Sequence, residues 1–388
     1  MRRIVASLLT LLAVAPPASA QPTITGAELR PVPYELLPGW REDDHTAAFA
    51  AFSKTCSAML SGPGAARSAA PIPDGLLRAC GRAAKLGPAD AEAARLFFEQ
   101  AFDPFEVAPE GGRGFLTGYY EPELEASLER TEAYPVPALA RPGDLVSSEE
   151  EAGAPLPAGL AAARRTENGL VPYPDRAAIE DGALGEDARP VAFFRDRVDL
   201  FIVQVQGSAR LRLPDGRAVR LAYAGKNGHP YTSVARLLVQ KLGIPPAEMT
   251  ADVLTRWLRD NPAEARDLMR QNRSYVFFRI AGELEPGQGP IGAAGVPVAA
   301  GRTLAVDREL WPYGVPVWLE GELPEPEGAA AAPLRRLVVA QDRGSAIRGP
   351  ARGDLFFGSG EEAGRRAGLV RNPVRFVVLW PKPNQPAP

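Results

Sequence analysis

Histidine and cysteine are almost missing from this chain: its 388 residues hold two of each. A conventional zinc site takes three or four such ligands, so a metalloenzyme built on His and Cys is a poor reading. An excess of either charge is lacking too. Lys+Arg 44 against Asp+Glu 47 gives a net charge of −3, which supplies no basic field for nucleic acid. What the chain has in quantity is proline (40) and glycine (38). Proline stands at about twice its usual ~5%, which predicts many turns and few long helices and argues against a coiled coil. Hydrophobic residues at 45% and charged residues at 23% are an ordinary globular balance. The length suffices for two or more packed cores at roughly 150 residues each, and no solenoid-type repeat is visible.

Arg2 and Arg3 precede an apolar run from Ile4 to Ala15, and Ala18-Ser19-Ala20 stands before Gln21. A basic start, a short apolar stretch and an A-x-A site describe a secretory signal peptide. The run of twelve residues is short of the ~20 that a spanning helix needs. Residues 1–20 are therefore expected to be removed and the mature chain to work in the periplasm. No cysteine near that site could carry a lipid, so anchoring as an outer-membrane lipoprotein is not expected. Export also permits a bridge between Cys56 and Cys80, with two buried free thiols as the alternative. Neither cysteine has a histidine beside it, and a catalytic thiol would need distant His45 or His229.

Between residues 43 and 102 three helices are expected. Asp43 or Asp44 can cap the first, which carries Phe49, Phe52, Cys56 and Leu60 at the spacing of one buried face. Leu76, Leu77 and Cys80 mark the second, and Leu96, Phe97 and Phe98 the third, which stops before Asp103-Pro104. Residues 141–162, rich in Pro, Gly, Ala and acids, read as a surface loop. Strands are expected at 191–194, 200–205 and 217–223. Ser233 can cap a helix over 234–242 ended by Gly243, Thr250 a second, and Asn261-Pro262 a third. From about 275 onward, short apolar runs at 275–278, 303–306, 315–319, 337–340 and 374–380 favour a small β-barrel or sandwich. A loop is expected over 321–333. Ser359 with Glu362 reads as a capping box ahead of a helix at 363–367.

Chemistry centres on three aspartates beside strand ends or turns: Asp307, Asp342 and Asp354. An acid among apolar side chains loses solvation, which raises its pKa and suits it to general-acid work. Asp354, followed by Leu355, Phe356 and Phe357, fits best on that ground; capping a turn or pairing with an arginine is the plainer role for each. In Gln204-Val205-Gln206-Gly207-Ser208, two amides would share one strand face at period two. Ala224-Gly225-Lys226-Asn227-Gly228-His229 is a polar turn rich in donors. Amides, a lysine and tyrosines suit a groove for sugar hydroxyl and acetamido groups, or an ordinary solvated turn.

Four segments occur in the order of the membrane-bound lytic murein transglycosylase A family, which the chain resembles over roughly 115–380. They are Phe115-Leu116-Thr117-Gly118-Tyr119-Tyr120-Glu121-Pro122, Val203-Gln204-Val205-Gln206-Gly207-Ser208, Tyr223-Ala224-Gly225-Lys226-Asn227-Gly228-His229 and Asn272-Arg273-Ser274-Tyr275-Val276-Phe277-Phe278. The block from Gln341-Asp342-Arg343-Gly344 through Asp354 to Gly364 resembles that family's three-aspartate domain. The resemblance implies a mainly β fold: a double-psi β-barrel with an inserted second β-rich domain; the N-terminal helical lead expected from the residues, with Cys56 and Cys80, matches nothing in the family's pattern. Residues 21–122 would hold the helical lead and the first part of the barrel, 123–280 the insert, and 281–388 the rest of the barrel. Peptidoglycan glycan strands would lie in the groove between them, with no cofactor, no nucleic acid and a monomeric chain.

The family's catalytic aspartate falls on Asp354 and its neighbour on Asp342, with Asp307 the third. Thr117, Tyr119, Tyr120, Gln204, Gln206, Ser208, Lys226, Asn227 and Asp307 would contact substrate. The family's reaction uses the sugar's own C6 hydroxyl and closes a 1,6-anhydro ring on N-acetylmuramic acid. A non-catalytic wall-binding module is the competing class. An aspartic peptidase is a further one, but the arginine in Asp342-Arg343-Gly344 breaks its pattern and no second copy occurs. Intact mass of the exported protein checks the leader and the cysteines together: loss of residues 1–20 and of two hydrogens is expected. A retained leader or two alkylatable thiols would count against these expectations.

Overall fold

The computed structural model describes residues 22–62, 70–147, 151, 153–283, 288–325 and 330–383. Residues 1–21, and with them the expected signal peptide, lie outside that set. The chain begins with strand β1 (Ala27–Pro31) and three helices, α1 (His45–Leu60), α2 (Asp74–Leu86) and α3 (Ala91–Ala101). Of the two candidate caps for α1, Asp44 is the one that accepts from a backbone N–H, that of Ala47 at 3.0 Å. Asp43 does other work: both its oxygens accept from Arg302, at 2.7 and 2.9 Å, and one also takes the Leu337 N–H at 2.9 Å. The buried faces of α1 and α3 meet in a phenylalanine cluster, with Phe49 and Phe97 ring centres 5.0 Å apart. A disulfide between Cys56 and Cys80 joins α1 to α2.

Strands β2 (Phe102–Pro109) and β3 (Phe115–Glu121) lead into an inserted region. There, strands β4 (Glu123–Ser127), β5 (Val136–Leu139), β6 (Leu145–Ser147), β7 (Ala162–Thr166), β8 (Gly169–Pro172), β9 (Pro190–Phe194), β10 (Ser208–Arg212), β11 (Ala218–Lys226) and β12 (Val276–Glu283) form two sheets. One runs β12-β11-β10-β4-β9-β5 and the other β6-β7-β8. The stretch expected as one surface loop over 141–162 thus contains β6, which pairs with β7 at its far end. The helices of this region are α4 (Arg176–Glu180), α5 (Arg197–Gln206), α6 (Val234–Leu242), α7 (Ala251–Asp260) and α8 (Pro262–Arg270). Ser233 and Thr250 cap α6 and α7, and Gly243 ends α6 in the left-handed region.

One expected strand is a helix. Residues 200–205 fall inside α5, where the Asp196 carboxylate accepts from the Asp199 N–H at 2.8 Å and Gly207, at φ 86°, ends the helix. A short apolar run reads alike for a buried strand and a helix buried on most sides, and here the caps decide. Gln204 and Gln206 consequently stand ~200° apart around the helix axis rather than on one strand face.

The C-terminal part supplies β13 (Thr303–Val306), β14 (Pro316–Leu323), β15 (Ala332–Asp342), β16 (Arg352–Ser359), α9 (Glu361–Leu369) and β17 (Arg371–Pro381). Strands β14 and β15 reach into both ends of the loop expected over 321–333 and pair there, Leu323 with Ala332. Ser359 does not cap α9. Gly360 takes that position, and the Ser359 hydroxyl donates to Glu121 at 2.8 Å.

The fold is mainly β, around a closed barrel of six strands. They run β17-β14-β15-β13-β16-β3, and β3 pairs back onto β17 to close the ring. Two neighbouring pairs, β13 with β15 and β16 with β3, are parallel. Gly118 in β3 shows how tightly α9 covers this wall: a Cβ there would sit 2.8 Å from the Ala367 backbone. On the opposite side α1 packs against β15. The fully buried Gln341 donates to the Ala51 carbonyl at 2.9 Å and to Thr55 at 2.8 Å, while it accepts from Thr303. No helix among the described residues is long and apolar enough to cross a membrane.

The Asp43 carboxylate is 5% exposed against an Arg302 side chain 10% exposed. Removing one partner of a buried ion pair strands the other charge, so Asp43→Ala should cost ~3–5 kcal/mol of stability. Denaturant unfolding of the native and variant chains measures it; a loss below about 1 kcal/mol, the surface-pair range, would refute the assignment.

Candidate active site

Strand β16 lies parallel to β3 in a register that sets Asp354 opposite Thr117. The Thr117 hydroxyl donates to Asp354 Oδ1 at 2.5 Å. Tyr119, two residues on, points to the same face because side chains alternate along a strand. Its hydroxyl donates to Asp342 Oδ2 at 2.7 Å, where β15 ends. Asp342 Oδ1 accepts two backbone N–H groups, from Ala293 at 3.1 Å and Arg343 at 2.9 Å. Both oxygens of Asp342 are therefore committed, whereas Oδ2 of Asp354 takes no hydrogen bond from the described residues.

The electrostatics follow from that arrangement. Burial pushes the Asp354 carboxyl up from an ordinary 3.8 to about 6, and the negative charge of Asp342 adds to the rise. The Thr117 hydroxyl and the Arg352 guanidinium pull the other way. Burial also raises Asp342, against the opposing effect of its three donors. The Tyr119 hydroxyl is held well above its ordinary range by burial and by the Asp342 carboxylate it faces. Its ring lies 5.1 Å, centre to centre, from that of Phe356. The result is one carboxyl that keeps its proton to about pH 6 beside a second one with donors on both oxygens.

Other residues singled out in the sequence sit apart from this pair. Tyr120 faces away from Thr117 and Tyr119, with its ring against Gly364 of α9, and its backbone N–H points to Gln206 Oε1 at 3.4 Å. Gln204 is buried; it accepts from Arg176 at 2.6 Å and donates to the Val276 carbonyl at 3.2 Å. Asn227 is fully buried, donating to the Pro174 and Arg273 carbonyls and accepting from the Tyr275 N–H, all at 2.9 Å. Ser208 is buried where β10 begins. Lys226, at the end of β11, lines a small cavity with Arg141, Ser147 and Tyr223. Asp307 holds a turn, accepting from the Gly349 N–H at 2.9 Å and the Glu309 N–H at 3.2 Å. The structure thus gathers Thr117, Tyr119, Asp342 and Asp354 at one place. A larger cavity of about 630 Å³ opens on the inserted sheet, and neither aspartate lines it.

Sequence reasoning passed over three arginines and one acid. Arg352 precedes Asp354 by two residues, a period-two signal on a strand that was there to be read. Glu121, fully buried, accepts from Arg220 at 2.7 and 3.3 Å, and Arg220 also donates to the Gln288 carbonyl at 2.7 Å. That pair ties the end of β3 to β11 of the insert. Arg176 donates to the Asn272 and Ser274 carbonyls as well as to Gln204, and so knits three sequence-distant segments together. Among the described residues no group of three His, Cys, Asp or Glu is placed to hold a metal ion.

Two family models match this chain: the MltA specific insert domain over residues 115–279 and the 3D domain over 302–380. The membrane-bound lytic murein transglycosylase A of Escherichia coli (strain K12) is 31% identical over 282 residues, 72% of this chain and 68% of that protein. The chain belongs to the membrane-bound lytic murein transglycosylase A family. Solved relatives share its fold. A membrane-bound lytic murein transglycosylase from Agrobacterium tumefaciens is 38% identical with a TM-score of 0.79, covering 91% of this chain and 97% of that one. The Escherichia coli family member solved with bound chitohexaose is 25% identical with a TM-score of 0.62, covering 94% of each. In this member of the transglycosylase A family, the two matched stretches meet at the site. Thr117 and Tyr119 come from the first, Asp342 and Asp354 from the second.

Between pH 3.8 and about 6 the folded chain holds the Asp354 proton and the unfolded chain does not. Stability from this group is therefore present at low pH and falls as pH rises through that window. A rise of about two pH units corresponds to at most ~3 kcal/mol. Asp354→Asn keeps an acceptor for Thr117 and should unfold at higher denaturant than the native chain near neutral pH, with the gain vanishing near pH 4. Equal midpoints at both pH values would show that the carboxyl is not held neutral by burial.

Proposed function

We propose that this protein is a lytic transglycosylase of peptidoglycan that breaks the β-1,4 bond between N-acetylmuramic acid and N-acetylglucosamine and leaves a 1,6-anhydro-muramic end. The observation that carries this reading is the asymmetry of the two carboxyls. Asp354 holds a proton up to about pH 6 and has an uncommitted oxygen, while Asp342 has both oxygens occupied. A glycosidase that delivers water or forms a covalent sugar ester uses two working carboxylates, ~6.5–9.5 Å or ~5–5.5 Å apart. Asp342, held by Tyr119 and two backbone N–H groups, is read as a positioned partner, which leaves Asp354 as the carboxyl that moves a proton. A reaction that supplies its own nucleophile needs no more than that.

In the first step Asp354 Oδ2 gives its proton to the glycosidic oxygen as the bond to the muramic C1 breaks. Positive charge develops at C1, and the neighbouring Asp342 carboxylate stabilises it. In the second step the C6 hydroxyl of the same sugar attacks C1 and its proton passes to Asp354, which restores the acid. No water is consumed. Holding C6 against C1 makes the attack intramolecular, for which effective molarities of ~10⁵ M and above are known. Thr117 and Tyr119 hold the two carboxyls, and the groove between barrel and insert accepts the glycan strand. Gln204 and Asn227 shape the insert from within, since their amides serve protein backbone and Arg176.

The finer architecture belongs to the same proposal. The barrel is read as double-psi, a reading its two parallel strand pairs support. Its parts would lie within 21–122 and 281–388, with the substrate-binding insert at 123–280. The working form is the exported, periplasmic chain acting as a monomer.

Digestion of isolated murein in ¹⁸O-labelled water tests the product. Muramic ends should carry no label and weigh one water less than hydrolysed ends; labelled reducing ends would make the protein a muramidase. Asp354→Asn, folded, should lose ~10²–10⁴-fold in rate, the usual contribution of general acid–base catalysis. Retention of most activity would remove Asp354 from the chemistry.

A further inference from the structure

Arg352 shares a face of β16 with Asp354, two residues away. Its Nη2 donates to Thr117 Oγ1 at 2.8 Å, and the Thr117 hydroxyl donates onward to Asp354 Oδ1 at 2.5 Å. The guanidinium is kept there by the Gly353 carbonyl and by the Phe115 ring, whose centre lies 5.5 Å away. A guanidinium can only donate, and a hydroxyl has one proton and two lone pairs. Thr117 must therefore turn a lone pair toward Arg352, which leaves its proton aimed at Oδ1. An oxygen that is already accepting a hydrogen bond is the poorer place for the carboxyl's own proton.

We infer that Arg352 is a positioning residue for the reaction: by fixing which way the Thr117 hydroxyl points, it keeps Asp354 Oδ1 an acceptor and confines the transferable proton to Oδ2. This rests on the reading of Asp354 as the acid. The other titratable groups that face Asp354 are Asp342 on β15 and Tyr119 on β3, and Tyr119 is occupied with Asp342. Ala305, its partner on β13, carries no titratable group. Without Arg352 the hydroxyl is free to reverse and accept from a protonated Oδ1, which turns the acid away from the glycosidic oxygen. The relay also explains how one group serves twice, since Oδ1 stays bonded to Thr117 whether or not Oδ2 carries the proton.

The test is a double-mutant cycle on murein glycan strands, with thermal unfolding to show that each variant is folded. Arg352→Met, which keeps length but no donor, should lower kcat by roughly 10- to 100-fold, the range of one hydrogen bond to a charged group, with KM little changed. The alkaline limb of kcat/KM should move upward, because a cation favouring the carboxylate is gone. Arg352→Lys should recover most of the loss, and Thr117→Ser should stay close to native. In a Thr117→Val background, Arg352→Met should cost little more. Independent, multiplying losses from the two substitutions would overturn the relay, as would a folded Arg352→Met variant with native kcat and an unmoved limb. Failure of the underlying reading shows up separately, as a folded Asp354→Asn variant that remains active.

Discussion

Strand β3 hydrogen-bonds to β16 on one side and to β17 on the other, and that double pairing closes the barrel. The same strand carries Thr117 and Tyr119 on one face and ends at Glu121, whose buried pairing with Arg220 reaches into the insert. Closure, the geometry of the candidate site and the junction between the two sheets are thereby bound to seven residues. Because the β3–β16 pairing is parallel and side chains alternate, a slip of one residue would turn Thr117 away from Asp354 and Tyr119 away from Asp342. The register is pinned by α9, which lies on Gly118 too closely for any side chain there.

Two carboxyls in one small volume usually oppose each other's ionisation. Here partners separate their roles. Asp342 takes three donors, shared over both oxygens, which hold it in place and offset part of the rise that burial gives its pKa. Asp354 has one donor, and burial keeps its proton on until about pH 6. The free energy for this comes from the rest of the barrel, whose buried core includes Leu116, Leu304, Leu337 and Leu355. A stability loss at neutral pH is the expected companion of a neutral buried acid.

The N-terminal helices are coupled to the same centre. Gln341 stands next to Asp342 and is bonded to α1 through Ala51 and Thr55, while α1 is stapled to α2 by the Cys56–Cys80 disulfide. Asp43, just ahead of α1, clamps Arg302 at the start of β13. Polar contacts buried within a large apolar cluster orient the helices without adding much net energy, since each hydrogen bond replaces one to water.

Local signals carried a good part of the fold. Caps at Asp44, Ser233 and Thr250, the stop at Gly243 and the apolar runs at 303–306 and 374–380 act within one turn or one strand, so the sequence displays them directly. Where a signal depends on burial, it misled. Residues 200–205 form a helix because Asp196 and Gly207 cap it, and Ser359 leaves its expected helix for Glu121, 238 residues earlier in the chain. The motifs around Thr117, Asp342 and Asp354, by their likeness to one family, were enough to name that family. They could not say that Asp342 takes donors on both oxygens, that Asp354 Oδ2 takes none from the described residues, or that Arg352 stands behind Thr117. Those facts are relations between strands far apart in sequence, and they come into being only when the barrel closes and sets the registers.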